Sequence, residues 1–267
     1  MGNSKGYIRT NKDAWEEAFE HRTSEWGVDI VTRLKNEKHP FLFNEVVTEV
    51  EQLDLIGKTI GQFCCNNGRE LLSLMQFGAK EGIGFDLADN QVKFANKIAC
   101  TLKWNCTFIA TDVLEIDEEY YDKFDFLFIS SGSLCWFKDL FHFFEKVSKC
   151  VKKNGIVLIS EMHPVTNMLA SPGEKNFDRN VPGNIVNSYF EKTWIENDGM
   201  YYMTHKKYKS KTFTSYTHSL SAILSAAFLY GYQISKFAEF EQDLSGGQFS
   251  LIENRGIPLS FILELKM

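Results

Sequence analysis

Apolar positions recur along the chain with two different periods. Between residues 7 and 52 the spacing is helical: Trp15, Ala18 and Phe19 stand at i, i+3 and i+4, with Asn11 or Asp13 as the candidate cap. Pro40 breaks this segment, and a second helix is predicted from residue 41 to about 53. From residue 59 onward, short apolar runs alternate with amphipathic ones. Residues 59–64, 82–85, 106–109, 124–129 and 156–160 read as strands. Residues 69–77, 89–104 and 138–151 read as the helices between them, and 152–155 as a turn before the fifth strand. Gly78 is a natural stop for the first of these helices, and Asp89 or Asn90 a cap for the second. Unbroken apolar strands such as 124–129 suit a parallel sheet covered on both faces. Repeated strand–helix units argue an α/β fold with a doubly wound sheet.

The alternation fails between residues 164 and 217. That segment holds Pro164, Pro172 and Pro182 and is rich in aromatics, which predicts an insertion or lid with a few strands around 194–213. A helix at 219–230, closed by Gly231, and strands at about 233–240 and 259–265 complete the pattern. The expected organisation is an N-terminal helical cap (1–52), a core made of 53–163 and 218–267, and a lid insertion (164–217).

Composition narrows the function classes. The 267 residues include 23 Phe, which reads as core and cavity lining. A formal net charge of −6 disfavours a nucleic-acid partner. The one dense basic run, Lys206, Lys207, Lys209 and Lys211, reads first as a solvated loop. No run approaches the ~20 apolar residues of a membrane span. The start, Met1-Gly2-Asn3-Ser4-Lys5-Gly6, lacks the apolar run of a signal peptide and the Ser or Thr of a myristoylation start. A cytoplasmic protein is expected. The six cysteines form no CxxC and no His pair has metal-ligand spacing, so reduced thiols and no metal are expected.

In a doubly wound sheet, ligands bind beyond the carboxyl ends of the strands. Three strand ends carry compatible residues. After the first strand comes Cys64-Cys65-Asn66-Asn67-Gly68, a tight turn that exposes backbone N–H groups at a helix start. Cys64 and Asn66 stand where a dinucleotide-binding GxGxxG has glycine. Such a loop crowds a diphosphate more than an amino-acid tail, which disfavours a nicotinamide dehydrogenase. The second strand ends at Asp86-Leu87, where a carboxylate can accept from both hydroxyls of a ribose. The third ends near Thr111-Asp112-Val113, where a carboxylate can accept from an adenine amine while Val113 covers the ring.

The order CCNNGRE (64–70), GFD (84–86), ATDV (110–113), SLCWFKDL (133–140) and EMHP (161–164) resembles the class I, Rossmann-like methyltransferase superfamily. The resemblance covers about residues 57–163, with the final helix and two strands fitting as well. The CCNNGRE loop and SLCWFKDL…EMHP resemble a little-characterised bacterial subgroup of small-molecule enzymes. The resemblance implies a seven-stranded, mostly parallel sheet with the last strand antiparallel, and S-adenosylmethionine as cofactor. It implies that Asn66, Asn67 and Gly68 line the methionine part of the cofactor, Asp86 holds the ribose, and Asp112 and Val113 line the adenine; Cys64 and Leu87 are counted with the cofactor-binding positions. Ser130 and Ser131 would follow the fourth strand beside the sulfonium.

The expected reaction is an in-line methyl transfer to a small-molecule acceptor. His163, after the fifth strand, and His218, at the start of the helix after the lid, are the candidate general bases, with Tyr216 and Glu161 behind them. Tyr7, Asn11 and Trp15 are candidates for a helix over the cofactor. Phe177, Tyr189, Phe190, Trp194, Tyr201 and Tyr202 are candidates to box an apolar acceptor. A cofactor-binding regulator of the same fold, without catalysis, is the alternative. A nucleic-acid enzyme is disfavoured, because Ser130-Ser131-Gly132-Ser133 stands where such enzymes carry Asn/Asp-Pro-Pro-Tyr/Phe.

Overall fold

The computed structural model of the chain describes residues 6–23, 26, 29–190 and 192–267; of Tyr202 it describes the backbone alone. Residues 1–5, on which most of the targeting and acylation reading falls, lie outside the described residues. The chain opens with three helices, α1 (Gly6–Glu20), α2 (Ile30–Asn36) and α3 (Asn44–Val50). Then follow β1 (Thr59–Phe63), α4 (Arg69–Met75), β2 (Glu81–Asp86), α5 (Asp89–Leu102), β3 (Cys106–Ala110), β4 (Phe124–Ile129), α6 (Leu140–Cys150) and β5 (Val151–Met162). Residues 164–217 contribute β6 (Thr193–Glu196), α7 (Tyr201–Thr204) and β7 (Phe213–Tyr216), and α8 (Leu220–Leu229), β8 (Gln233–Phe240) and β9 (Ser260–Lys266) close the chain.

Seven strands form one sheet in the order β3-β2-β1-β4-β5-β9-β8. β1 to β5 are parallel to one another, and the last strand, β9, is antiparallel to both β5 and β8. This is the architecture the resemblance implies. β1 pairs with β2 on one side and β4 on the other, so the order reverses there and a crevice opens above the carboxyl ends of these strands. Each face of the sheet is covered by its own core. Phe143, Phe144 and Val147 of α6 and Ile223 and Ala226 of α8 bury against one face. Leu71 and Leu72 of α4, Val92 and Ala95 of α5 and the apolar residues of α2 and α3 bury against the other. The side-chain alternation expected of one-sided strands is therefore absent from β1 and β4.

Two local readings differ. The segment before Pro40 is two helices rather than one. α2 buries only Ile30 and Leu34, one i, i+4 pair, too short a stripe to register as a period of its own. The turn predicted at 152–155 is instead a bulge inside β5. Register runs from Phe124↔Val151 to Phe126↔Ile156, and Asn154 takes a left-handed φ of 65°.

α1 roofs the crevice. The Asn11 amide donates to Thr214 O at 2.8 Å and its oxygen accepts from Thr214 N at 2.7 Å, so α1 is clipped to β7. Ala14, Ala18 and Phe19 pack with Met203 and Phe213 into a small separate core under the β6–β7 hairpin. Lys12 pairs with Asp89 at 2.8 Å and anchors the helix on α5.

Candidate functional site

The crevice is a cavity of about 350 Å3, within the roughly 300–1,000 Å3 usual for small-molecule sites. Cys64, Asn66, Asn67, Asp86, Leu87, Asp112, Val113, Ser130 and Ser131, nine of the expected cofactor positions, all face it. Gly68 does not. It stands behind the loop at the start of α4 with φ 78°, and a Cβ there would meet the Phe108 ring at 2.6 Å and Ala95 at 2.7 Å. Its glycine identity serves close packing of loop on sheet.

The loop keeps a glycine-like path without the glycines. Cys64 has φ 55° and Asn66 φ 51°, both left-handed. That conformation costs about 1–2 kcal/mol at a non-glycine residue, less for Asn, whose side chain bonds locally. Here the Asn66 side-chain oxygen accepts from Asn67 N at 2.7 Å. Asp86 holds the loop from the next strand: one carboxylate oxygen accepts from Asn66 N at 2.7 Å, the other from Ala88 N at 3.0 Å. Each oxygen retains room for a further donor. Burial pushes the Asp86 carboxyl above its ordinary value, against the backbone donors that pull it down. Asp112 caps the turn that follows β3 by accepting from Leu114 N at 3.0 Å.

A second buried carboxylate organises the opposite wall. Glu161, near the end of β5, accepts four backbone N–H groups: Gly132 at 2.6 Å and Met162 at 2.8 Å on one oxygen, Ser133 at 3.0 Å and Leu134 at 3.1 Å on the other. It thereby shapes the loop after β4. Its carboxyl too is raised by burial. Both its oxygens face the loop backbone, which leaves it no proton-transfer position in the cavity.

Neither histidine reaches the cavity. His163 is buried behind it, its Nδ1 accepting from Val165 N at 3.1 Å and its Nε2 lying 2.9 Å from Glu239 of β8; burial lowers its pKa. His218 lines an adjoining pocket beside Asp112 and Lys138, where its Nε2 lies 2.8 Å from Phe137 O. Tyr216 packs edge-on against Tyr7, with ring centroids 5.4 Å apart. Of the aromatics expected to box an acceptor, Phe190 and Tyr201 are 71% and 59% exposed, and Tyr189 accepts from Leu220 N at 3.0 Å. Phe177 and Trp194 also stand outside the wall, and the side chain of Tyr202 lies outside the described residues. The aromatic wall comes instead from Tyr7 and Trp15 of α1 and from Trp136 and Phe137 after β4. Trp15 and Trp136 meet edge to face at 5.2 Å.

Sequence reasoning missed two further parts. Gln91 of α5 faces the cavity, is 1% exposed, and its Oε1 has no partner. A buried acceptor without a donor marks a place for a ligand N–H or O–H. Leu244, Ser245, Gly246 and Gln248, in the β8–β9 connection, also face the cavity. Asp243 folds that loop by accepting from Ser245 N and Phe249 N, both at 2.8 Å. The Gly246-Gly247 pair announces a loop, but nothing local says that it returns to the crevice.

A methyltransferase-domain family model matches residues 62–210, more than half of the chain. The chain belongs to this family. No curated protein sequence matches it. Among solved structures, an S-adenosylmethionine-dependent methyltransferase from Mesorhizobium loti aligns with a TM-score of 0.62 at 17% identity, over 88% of this chain and 100% of the other. The geranyl diphosphate C-methyltransferase of Streptomyces coelicolor A3(2), solved with Mg2+, geranyl diphosphate and S-adenosyl-L-homocysteine, aligns with a TM-score of 0.61 at 10% identity, over 100% and 99% of the two chains. The glycopeptide N-methyltransferase MtfA, solved with S-adenosyl-L-methionine, aligns with a TM-score of 0.55 at 13% identity, over 84% and 92%. At such identities the likeness is one of fold. Family and fold together place this methyltransferase in the class I superfamily, whose cofactor is S-adenosylmethionine. The cavity fits that group: it offers a carboxylate with spare acceptor capacity at Asp86 and an unpartnered buried acceptor at Gln91.

Proposed function

We propose that this methyltransferase carries a methyl group from S-adenosylmethionine to a small-molecule acceptor, both bound in the crevice between α1, the β4 loop and the β8–β9 loop. The observation that carries the reading is the convergence of Asn66, Asp86 and Asp112, from three separate strand ends, on one cavity. Asp86 would hold the ribose, Asp112 and Val113 the adenine, and Asn66 and Asn67 the methionine part. Arg69 and Glu70, in the first turn of α4, also face the cavity and offer one charge of each sign to a zwitterionic tail. When bound, the cofactor supplies a methyl group already activated on a sulfonium. The work left to the protein is to orient, to exclude water and to hold the acceptor in line. Ser130 and Ser131 flank the reacting position, and Trp15 and Trp136 close it from above.

A small molecule is favoured over nucleic acid by the net charge of −6 and by the position of the four lysines, all exposed around the hairpin turn and outside the crevice. A cytoplasmic setting belongs to the same reading. It is supported by six unpaired thiols, and no helix among the described residues is long and apolar enough to cross a membrane.

Calorimetric titration of the ligand-free protein with S-adenosylmethionine and S-adenosylhomocysteine tests the reading. Micromolar binding is expected, weakened about 100-fold or more in Asp86→Ala, which loses a charged acceptor and releases the Asn66 loop. Folded protein that binds neither ligand would sink it.

A further inference from the structure

The crevice divides by charge. The wall residues that carry a formal charge, Arg69, Glu70, Asp86 and Asp112, all stand at or after the ends of β1, β2 or β3, on the cofactor side. Across the cavity, beyond the β4 loop, the wall is Trp136, Met162, Met200 and Leu244, with Ser245 and Gln248 as its polar members. Two thioethers and an indole line it, soft and polarizable groups that suit a flat ring. An ionic acceptor placed there would lose water without gaining a counter-charge, at a cost of several kcal/mol.

Proton acceptors are equally scarce on this side. Among the described residues, the only titratable group on this part of the wall is Cys135; Glu161 and Glu196 act on it electrostatically, but neither lines the cavity. Burial holds the Cys135 thiol in its protonated form. Glu161 spends both oxygens on backbone amides. A hydroxyl or an alkylammonium acceptor must lose a proton around the time of transfer. An aromatic nitrogen already exposes its lone pair when neutral.

We infer that the acceptor is an uncharged, flat molecule offering a nitrogen lone pair, an N-heteroaromatic ring or an aryl amine, laid against Trp136 and the two methionines. The inference rests on the methyltransferase reading of the crevice. In the step it implies, the nitrogen lone pair forms the N–CH3 bond as the S–CH3 bond breaks, and that bonding pair stays on sulfur. The positive charge passes from sulfonium to nitrogen. With a ring nitrogen no proton leaves; with an aryl amine the proton goes to water after transfer.

Single-ring and fused-ring probes of similar size test this on the full chain: quinoline and aniline as neutral nitrogen acceptors, phenol, benzoate, phenyl phosphate and benzylamine as rivals. Binding to the preformed S-adenosylhomocysteine complex is read by tryptophan quenching, and turnover by release of S-adenosylhomocysteine. Quinoline or aniline is expected to bind and to be methylated, with benzoate, phenyl phosphate and benzylamine at least about tenfold weaker. Trp136→Ala should raise the KM of the neutral probe about tenfold and leave the Kd for S-adenosylhomocysteine unchanged. Preference for any charged probe, turnover of phenol, or failure of both neutral probes to bind the complex overturns the inference. If S-adenosylhomocysteine itself does not bind, the underlying methyltransferase reading fails first; if it binds and the probes behave otherwise, only the acceptor class falls.

Discussion

On the side of the crevice proposed for the cofactor, Cys64 to Asn67, Asp86 with Leu87, and Thr111 to Leu114 stand at or just after the ends of β1, β2 and β3. On the side proposed for the acceptor, Trp136, Met162, Met200 and Leu244 come from four separate stretches of chain, two of them irregular. The first wall is a set of local turns whose chemistry can be read one strand at a time. The second exists only once α1, the lid and the β8–β9 loop have packed together. Each side nevertheless depends on one buried carboxylate. Asp86 ties the β1 loop to β2, and Glu161 ties the β4 loop to β5.

If that parallel holds, Glu161→Gln is the larger disturbance. An amide nitrogen must replace one oxygen, so two of the four backbone N–H groups lose their acceptor whichever way the side chain turns. A loss of roughly 2–5 kcal/mol is expected in urea unfolding. S-adenosylhomocysteine affinity should change less than acceptor turnover, because the β1–β3 wall is untouched. Unfolding unchanged from the parent would break the comparison.

A smaller effect separates Cys64→Gly from Cys64→Ala. Alanine keeps the left-handed strain and glycine relieves it, so the glycine variant should be the more stable by about 1 kcal/mol. Equal midpoints would mean that the β1 loop stores no strain.

The subtlest effect is in pH. Burial raises the Asp86 carboxyl above its ordinary 3.8. Its proton is therefore held more tightly folded than unfolded, so the stability it contributes is present below the unfolded value and is lost as pH rises through the folded one. Cofactor affinity should move the other way across the same window, since the ionised carboxylate is the proposed ribose acceptor. Comparing wild type with Asp86→Asn isolates this from Glu161, whose carboxyl is shifted in the same direction. A stability curve identical in the two proteins would contradict it.

The sequence alone determined the strand–helix alternation from residue 59 and the doubly wound sheet, and it picked out nine residues that face the crevice. These rest on apolar runs, caps and turn residues, all short-range signals. It also marked 164–217 as irregular without saying which side chains turn inward. Tertiary structure decided what Gly68 packs against, that His163 and His218 stand outside the cavity, and that the aromatic wall is Trp15 with Trp136 rather than the lid's own rings. It also decided that Glu161 serves four backbone amides, three of them in the β4 loop, and that the β8–β9 loop returns to the crevice. The physical reason is one of range. A period or a cap is written within a few residues, whereas a wall assembled from distant loops is written only in how the whole chain packs.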